Sequence, residues 1–206
     1  MERRGPSRPF DRRIAIPYGD GGTAATIAEM ADQAVLGSRD PIVRLLAKEI
    51  LSIQPAVAGR DHKRVAERFF NWLQDRGSGE RSGLKFLNDP YRTEQVRAAW
   101  WALVIEGAGD CNSGFATSLA ALLMSVGVPC FFRTVAADSS RPRSFSHVYT
   151  VAVIRGRELA LDPSVSFSSP GSEPSEITRK QDWAIRVFDE DDSGLGLVGW
   201  LRRLVA

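Results

Sequence analysis

Cysteine and histidine are scarce in this 206-residue chain, with two of each. Two cysteines cannot build a disulfide framework, so a reducing compartment, the cytoplasm, is the expected setting. His62 and His147 stand far apart and no Cys/His cluster has metal-ligand spacing. Charge of one sign is also lacking. Lys plus Arg number 27 against 25 Asp plus Glu, and a net charge of +2 gives no general pull toward nucleic acid. No apolar run approaches the roughly 18 residues of a membrane-spanning helix. The start, "MERRGPSRPFDRR", is basic but no apolar segment follows it, unlike a secretory signal. No cofactor, nucleic-acid partner or membrane partner is therefore expected. What remains, 43% hydrophobic and 25% charged residues, is the composition of an ordinary globular domain.

Residues 1–13 read as a flexible basic arm and 14–88 as a helical lead-in packed on a core. Thr23 is placed to cap a helix reaching about Leu36. Asp40 and Pro41 make an N-cap and first-turn pair for "PIVRLLAKEIL". Asp61 can cap "HKRVAERFFNWLQDR", where Val65, Phe69, Trp72 and Leu73 share a face. "GSGERSG" (77–83) is a loop, "KFLNDP" a short extended piece, and "TEQVRAAWWALVIEG" a further helical pattern.

Residues 89–206 read as the core with a C-terminal tail. "GDCNSGFATSLAALLMSVGVPC" (Gly109 to Cys130) predicts a helix from Cys111 to about Ser125, with Gly127 as its C-terminal cap. Phe115, Leu119, Leu122, Leu123 and Val126 recur at helical spacing, and small residues between them imply burial on most sides. Strands are expected at 129–136, 145–154 and 157–162, with a fourth in "DWAIRVF". The loop "DPSVSFSSPGSEPSE" joins the third to the fourth. An acidic "DEDD" and the apolar tail "GLGLVGWLRRLVA", expected to dock back on the domain, close the chain.

A two-residue turn at Arg155-Gly156 sets Ile154 opposite Arg157 and Asp162 opposite Tyr149. His147, two residues from Tyr149, then shares its face and becomes a diagonal neighbour of Asp162, roughly 7–8 Å away at the backbone. The other face, Val148, Thr150, Ala152, Ile154, Leu159 and Leu161, is the core face. A three-residue loop would reverse this and part His147 from Asp162.

Asp110 is a good N-cap, which sets Cys111 in the first helical turn. There the positive helix end and a neighbouring imidazolium favour a thiolate, while the Asp110 charge opposes it. First-turn N–H groups are donors for an oxyanion. A lone cysteine on an apolar helix is more often a packed residue than a nucleophile. That plain reading is kept for Cys130 and, as a polar helix-start residue, for His62. Cys111, His147 and Asp162 together supply the nucleophile, the base and the group that orients the base.

These motifs, "GDCNSGFATSLAALLMSVGVPCFFRTV", "SHVYTVAV" and "RELALDPS", resemble the transglutaminase-like superfamily of papain-like cysteine enzymes over roughly Asp89 to Ser166. The lead-in resembles that of phage and prophage members. Departures are Val148-Tyr149 after the histidine, where Ala-Trp is common, and Leu159 where a tryptophan often stands. The resemblance implies an α+β fold: a buried helix beginning at the cysteine, packed on an antiparallel sheet, with a helical N-terminal extension. It implies thiol acyl transfer on a peptide or protein amide, with Cys111, His147 and Asp162 as the triad. The product is that of a protease or amidase, or of a transglutaminase. Gln95, Trp100 and Trp101 are candidates for the second oxyanion donor. No metal is required, and no acidic site for calcium is visible. The alternative is a non-catalytic binding or assembly module, for example in a phage particle, with the protein then virion-associated.

Overall fold

The computed structural model describes residues 16–74, 83–90 and 93–186. The basic arm, all but the last residue of the 77–83 loop, the acidic run and the C-terminal tail lie outside the described residues.

Three helices come first: α1 (Asp20–Arg39), α2 (Pro41–Ser52) and α3 (His62–Leu73). The caps of α2 and α3 are those expected. Asp40 Oδ1 accepts from the Ile42 N–H at 2.7 Å, and Asp61 Oδ1 from the Arg64 N–H at 3.2 Å. The start of α1 is a correction. Thr23 is not its cap; the helix begins three residues earlier, after Gly19, whose φ of +70° suits glycine. Thr23 instead lies inside the first turn, and both its N–H and its hydroxyl donate to the Gly19 carbonyl.

Two short strands follow, β1 (Lys85–Phe86) and β2 (Ala108–Gly109), paired in parallel. Between them the helical pattern of 93–107 forms only its second half, a turn at Ala99–Trp100 leading into a π-turn at Trp101–Glu106. The first half is a loop tied by side-chain bonds: the Gln95 N–H, for one, donates to Asp89 Oδ2.

The helix of the cysteine opens as a π-turn, Cys111–Ala116, and continues without a break as α4 (Thr117–Ser125). Gly127, at φ +78°, ends it, and the Val128 N–H donates back to the Leu123 carbonyl. α4 is enclosed. On one flank Ile27, Met30 and Ala34 of α1 share a cluster with Ala116, Ala120 and Phe132. On the other, Phe69, Phe70 and Leu73 of α3 and Val43 and Ile50 of α2 meet Leu119, Leu122 and Leu123. Each fully buried leucine here contributes about 2 kcal/mol of burial free energy.

The third wall is an antiparallel sheet, ordered β5-β4-β3-β6. Its strands are β3 (Cys130–Ala136), β4 (His147–Ile154), β5 (Arg157–Leu161) and β6 (Arg179–Ala184). The fold is α+β, as expected. The fourth strand begins three residues before "DWAIRVF", because it is set by its ladder with β3, from Arg179↔Ala136 to Ala184↔Phe131. The β4–β5 turn has Arg155 at φ +52° and Gly156 at +75°, the mirror-image two-residue turn that fits strand twist. Ile154 therefore faces Arg157 and Thr150 faces Leu161, the expected register. Ala152, Leu159 and Leu161 pack toward α4, and the Thr150 hydroxyl donates to the Ala116 carbonyl at 2.8 Å.

The outer sheet face carries Phe131, Val135, Tyr149, Val151 and Val153. Arg133 is buried there among carboxylates. It meets Asp182 through Nε at 2.6 Å and Nη2 at 2.8 Å, Glu173 at 2.8 Å and Glu158 at 2.9 Å. The Tyr149 hydroxyl donates to Glu173 at 2.7 Å.

Candidate active site

Local sequence and a close backbone contact together place Cys111. Asp110, extended at φ −86° and ψ −173°, accepts from the Ser113 N–H and hydroxyl, each at 3.0 Å. The Phe115 N–H reaches the Asp110 carbonyl at 3.1 Å, one residue further than in an α-helix, so the first turn is wide. Gly109 and Gly114 touch across this turn. A Cβ on Gly109 would lie 2.4 Å from Gly114 Cα, and one on Gly114 would lie 2.5 Å from Gly109 Cα. Gly109 is also pinned from outside, its carbonyl accepting from the Leu87 N–H at 3.0 Å.

His147 is the first residue of β4, opposite Val135. Its Nε2 meets Asp162 Oδ2 at 2.6 Å, and the Cys111 side chain is near enough to favour the charged ring. With Nε2 on the carboxylate, Nδ1 is the nitrogen left for the sulfur. Asp162, just beyond β5, is buried at 4% exposure. The hairpin register brings it there, as the diagonal relation anticipated. Burial pulls the imidazole titration down. The Asp162 bond and the Cys111 sulfur push it up and prevail, to about 10. Both neighbours favour the charged form of the ring.

The remaining candidates sit elsewhere. Cys130 lies on β3 with its thiol toward the Ala120 carbonyl at 3.9 Å, and burial pushes that thiol up to about 12. His62 begins α3. Gln95 Oε1 accepts from Arg97 Nη2 at 2.5 Å, and Trp100 packs edge-to-face on Trp101 at 5.6 Å.

An acidic cluster beside the cysteine was not anticipated. Carboxylate oxygens of Asp89, Glu94 and Asp110 lie within 4.8 Å of one another. Burial, then the Asp110 and Asp89 charges, raise Glu94 to about 7, against the bond it accepts from Asn112. Asp110 is raised likewise, by burial first and then by Asp89. Three such carboxylates are donors of the kind hard divalent cations take. Arg97 already engages the group, meeting Asp89 at 3.5 Å, Glu106 at 2.9 Å and the Ser113 hydroxyl at 3.1 Å. No short motif announces it, since Asp89 and Glu94 lie in the loop after β1 and Asp110 lies beyond the π-turn and β2.

No protein-family model matches the chain, and no functionally curated protein matches it significantly. Solved structures similar to it include a Cytophaga hutchinsonii protein provisionally classed as a cysteine protease. It is 17% identical over 68% of this chain and 41% of that one, with a TM-score of 0.41. A Parabacteroides distasonis protein provisionally classed as a protease is 14% identical over 70% and 27% of the two chains, with a TM-score of 0.47. The periplasmic domain of TgpA from Pseudomonas aeruginosa, bound to ethylmercury, is 14% identical over 60% and 44%, with a TM-score of 0.41. The chain spans less than half the length of each.

Proposed function

We propose that this protein is a cysteine-dependent acyl-transfer enzyme acting on amides, with Cys111, His147 and Asp162 as its triad. The observation that carries the reading is the His147 ring, bonded at 2.6 Å to the buried Asp162 carboxylate and near enough to the Cys111 side chain to feel its charge. A cysteine beside an imidazole that a carboxylate orients is an activated nucleophile.

Cys111 sulfur attacks the amide carbonyl carbon, and the carbonyl oxygen becomes an oxyanion facing first-turn N–H groups. Collapse breaks the C–N bond while His147 gives its proton to the leaving amine. A thioester remains. Neutral His147 then takes a proton from water, hydroxide adds to the thioester, and the acid leaves as the thiolate is restored. An amine in place of water gives transamidation. Hydrolysis is the favoured outcome, because water needs no acceptor site of its own. Asp162 keeps the imidazole in the orientation and tautomer the sequence requires.

The test is labelling with a peptidyl electrophile followed by peptide mapping. The modification is expected on Cys111 and not on Cys130, and is lost in Cys111→Ala and in His147→Ala. No labelling of Cys111 above the level of Cys130 would refute the enzyme and leave the fold as a binding or assembly module.

A further inference from the structure

We propose that Ser164 is a positioning residue of this site, aiming the Asp162 carboxylate at His147. The inference rests on the triad reading and adds a residue to it. A carboxylate has two oxygens and turns easily about its last torsion. Here Oδ2 takes His147 Nε2 at 2.6 Å, while Oδ1 accepts from the Ser164 hydroxyl at 2.6 Å and the Ser164 N–H at 3.3 Å. With both oxygens held, the torsion is fixed and Oδ2 stays in the line of the ring.

The turn that carries Ser164 is itself anchored from a distant part of the chain. Ser168 Oγ donates to the Asp162 carbonyl. Gln74, the residue that ends α3, donates through Nε2 to the Val165 carbonyl at 2.6 Å and to Ser168 Oγ at 2.9 Å. Residues 162–168 are thus tied at three points, and Ser164 stands between them. Pro163 adds a fixed φ to the same turn. Asp162 is buried and Ser164 only half-buried, so the clamp reaches the carboxylate from the solvent side.

A serine that merely shaped the loop would act independently of the carboxylate. One that acts through it would not, and a double-mutant cycle separates the two. The readout is the rate of iodoacetamide labelling of Cys111 at pH 7, resolved by mass spectrometry, which needs no known substrate. A hydrogen bond to a charged group is worth about 1.5–3 kcal/mol, so Ser164→Ala should slow labelling by about tenfold or more. Ser164→Thr, which keeps the hydroxyl, should restore most of it. In an Asp162→Ala background the further change Ser164→Ala should matter less than about twofold. Thermal melts confirm that each variant is folded, and the Thr rescue is read in a single background should Asp162→Ala fail to fold. With fast wild-type labelling, a Ser164→Ala rate equal to wild type, an equal loss in both backgrounds, or no rescue by Thr would overturn the clamp alone. Wild-type Cys111 labelling no faster than Cys130 would overturn the triad, and the clamp with it.

Discussion

Gly114→Ala adds one methyl group at the tightest contact of the site. The new Cβ would stand 2.5 Å from Gly109 Cα and 2.6 Å from Gly109 C, where non-bonded carbons settle at about 3.5–4.0 Å. The two backbones must therefore part by about 1 Å. Neither side yields easily. Gly109 is held by its β1 partner, and Gly114 belongs to a buried turn. Overpacking of this kind costs about 1–3 kcal/mol, offset by up to about 1 kcal/mol because alanine is the better helix former. The change at the site should be larger than the change in stability. Cys111 stands between the two glycines, and a displacement of about 1 Å there can cost about a hundredfold in rate. Urea unfolding measures the first quantity and the iodoacetamide rate at Cys111 the second. Gly127→Ala is the control. Its φ of +78° costs about 1 kcal/mol in an L-residue, but nothing lies within 4 Å of the added Cβ and labelling should be unchanged. A Gly114→Ala protein with wild-type labelling would refute the argument that the glycine pair sets the thiol.

Two further outcomes follow from the charges. His147 titrates higher in the fold than in the unfolded chain, so its contribution to stability is full below about 6.5 and is lost as pH rises through about 10. Unfolding free energy from urea titrations at pH 6, 8 and 10 should fall more steeply in the wild type than in His147→Gln; parallel slopes would show that the imidazolium is not held. Arg133→Met should destabilise by about 2–3 kcal/mol, below the about 3–5 kcal/mol of a fully buried broken pair because the carboxylates left behind are partly solvated. Calorimetry checks it, and an unchanged melting temperature would mean the cluster is worth no more than a surface pair.

Much of the candidate site was legible because short-range rules determine it. The Arg155-Gly156 turn sets a register, the register sets which side chains share a face, and His147 and Asp162 follow. Asp110 before an apolar helical pattern is likewise a local signal, and it puts Cys111 at the head of a helix. Tertiary structure decided what depends on distant segments meeting. The π-opening of the cysteine helix coincides with the Gly109–Gly114 contact, which no helical periodicity encodes. Asp89, Glu94 and Asp110 come together only because Ala108–Gly109 pairs with Lys85–Phe86 and brings the intervening loop back on itself. Gln74 reaches a turn 91 residues away in sequence, and Arg133 gathers carboxylates from three segments. A polar residue's pattern in sequence shows that it is exposed or capping, not which remote partner it will find. That choice belongs to the tertiary packing, because a polar group taken out of water gains free energy only from the partner that distant segments bring to it.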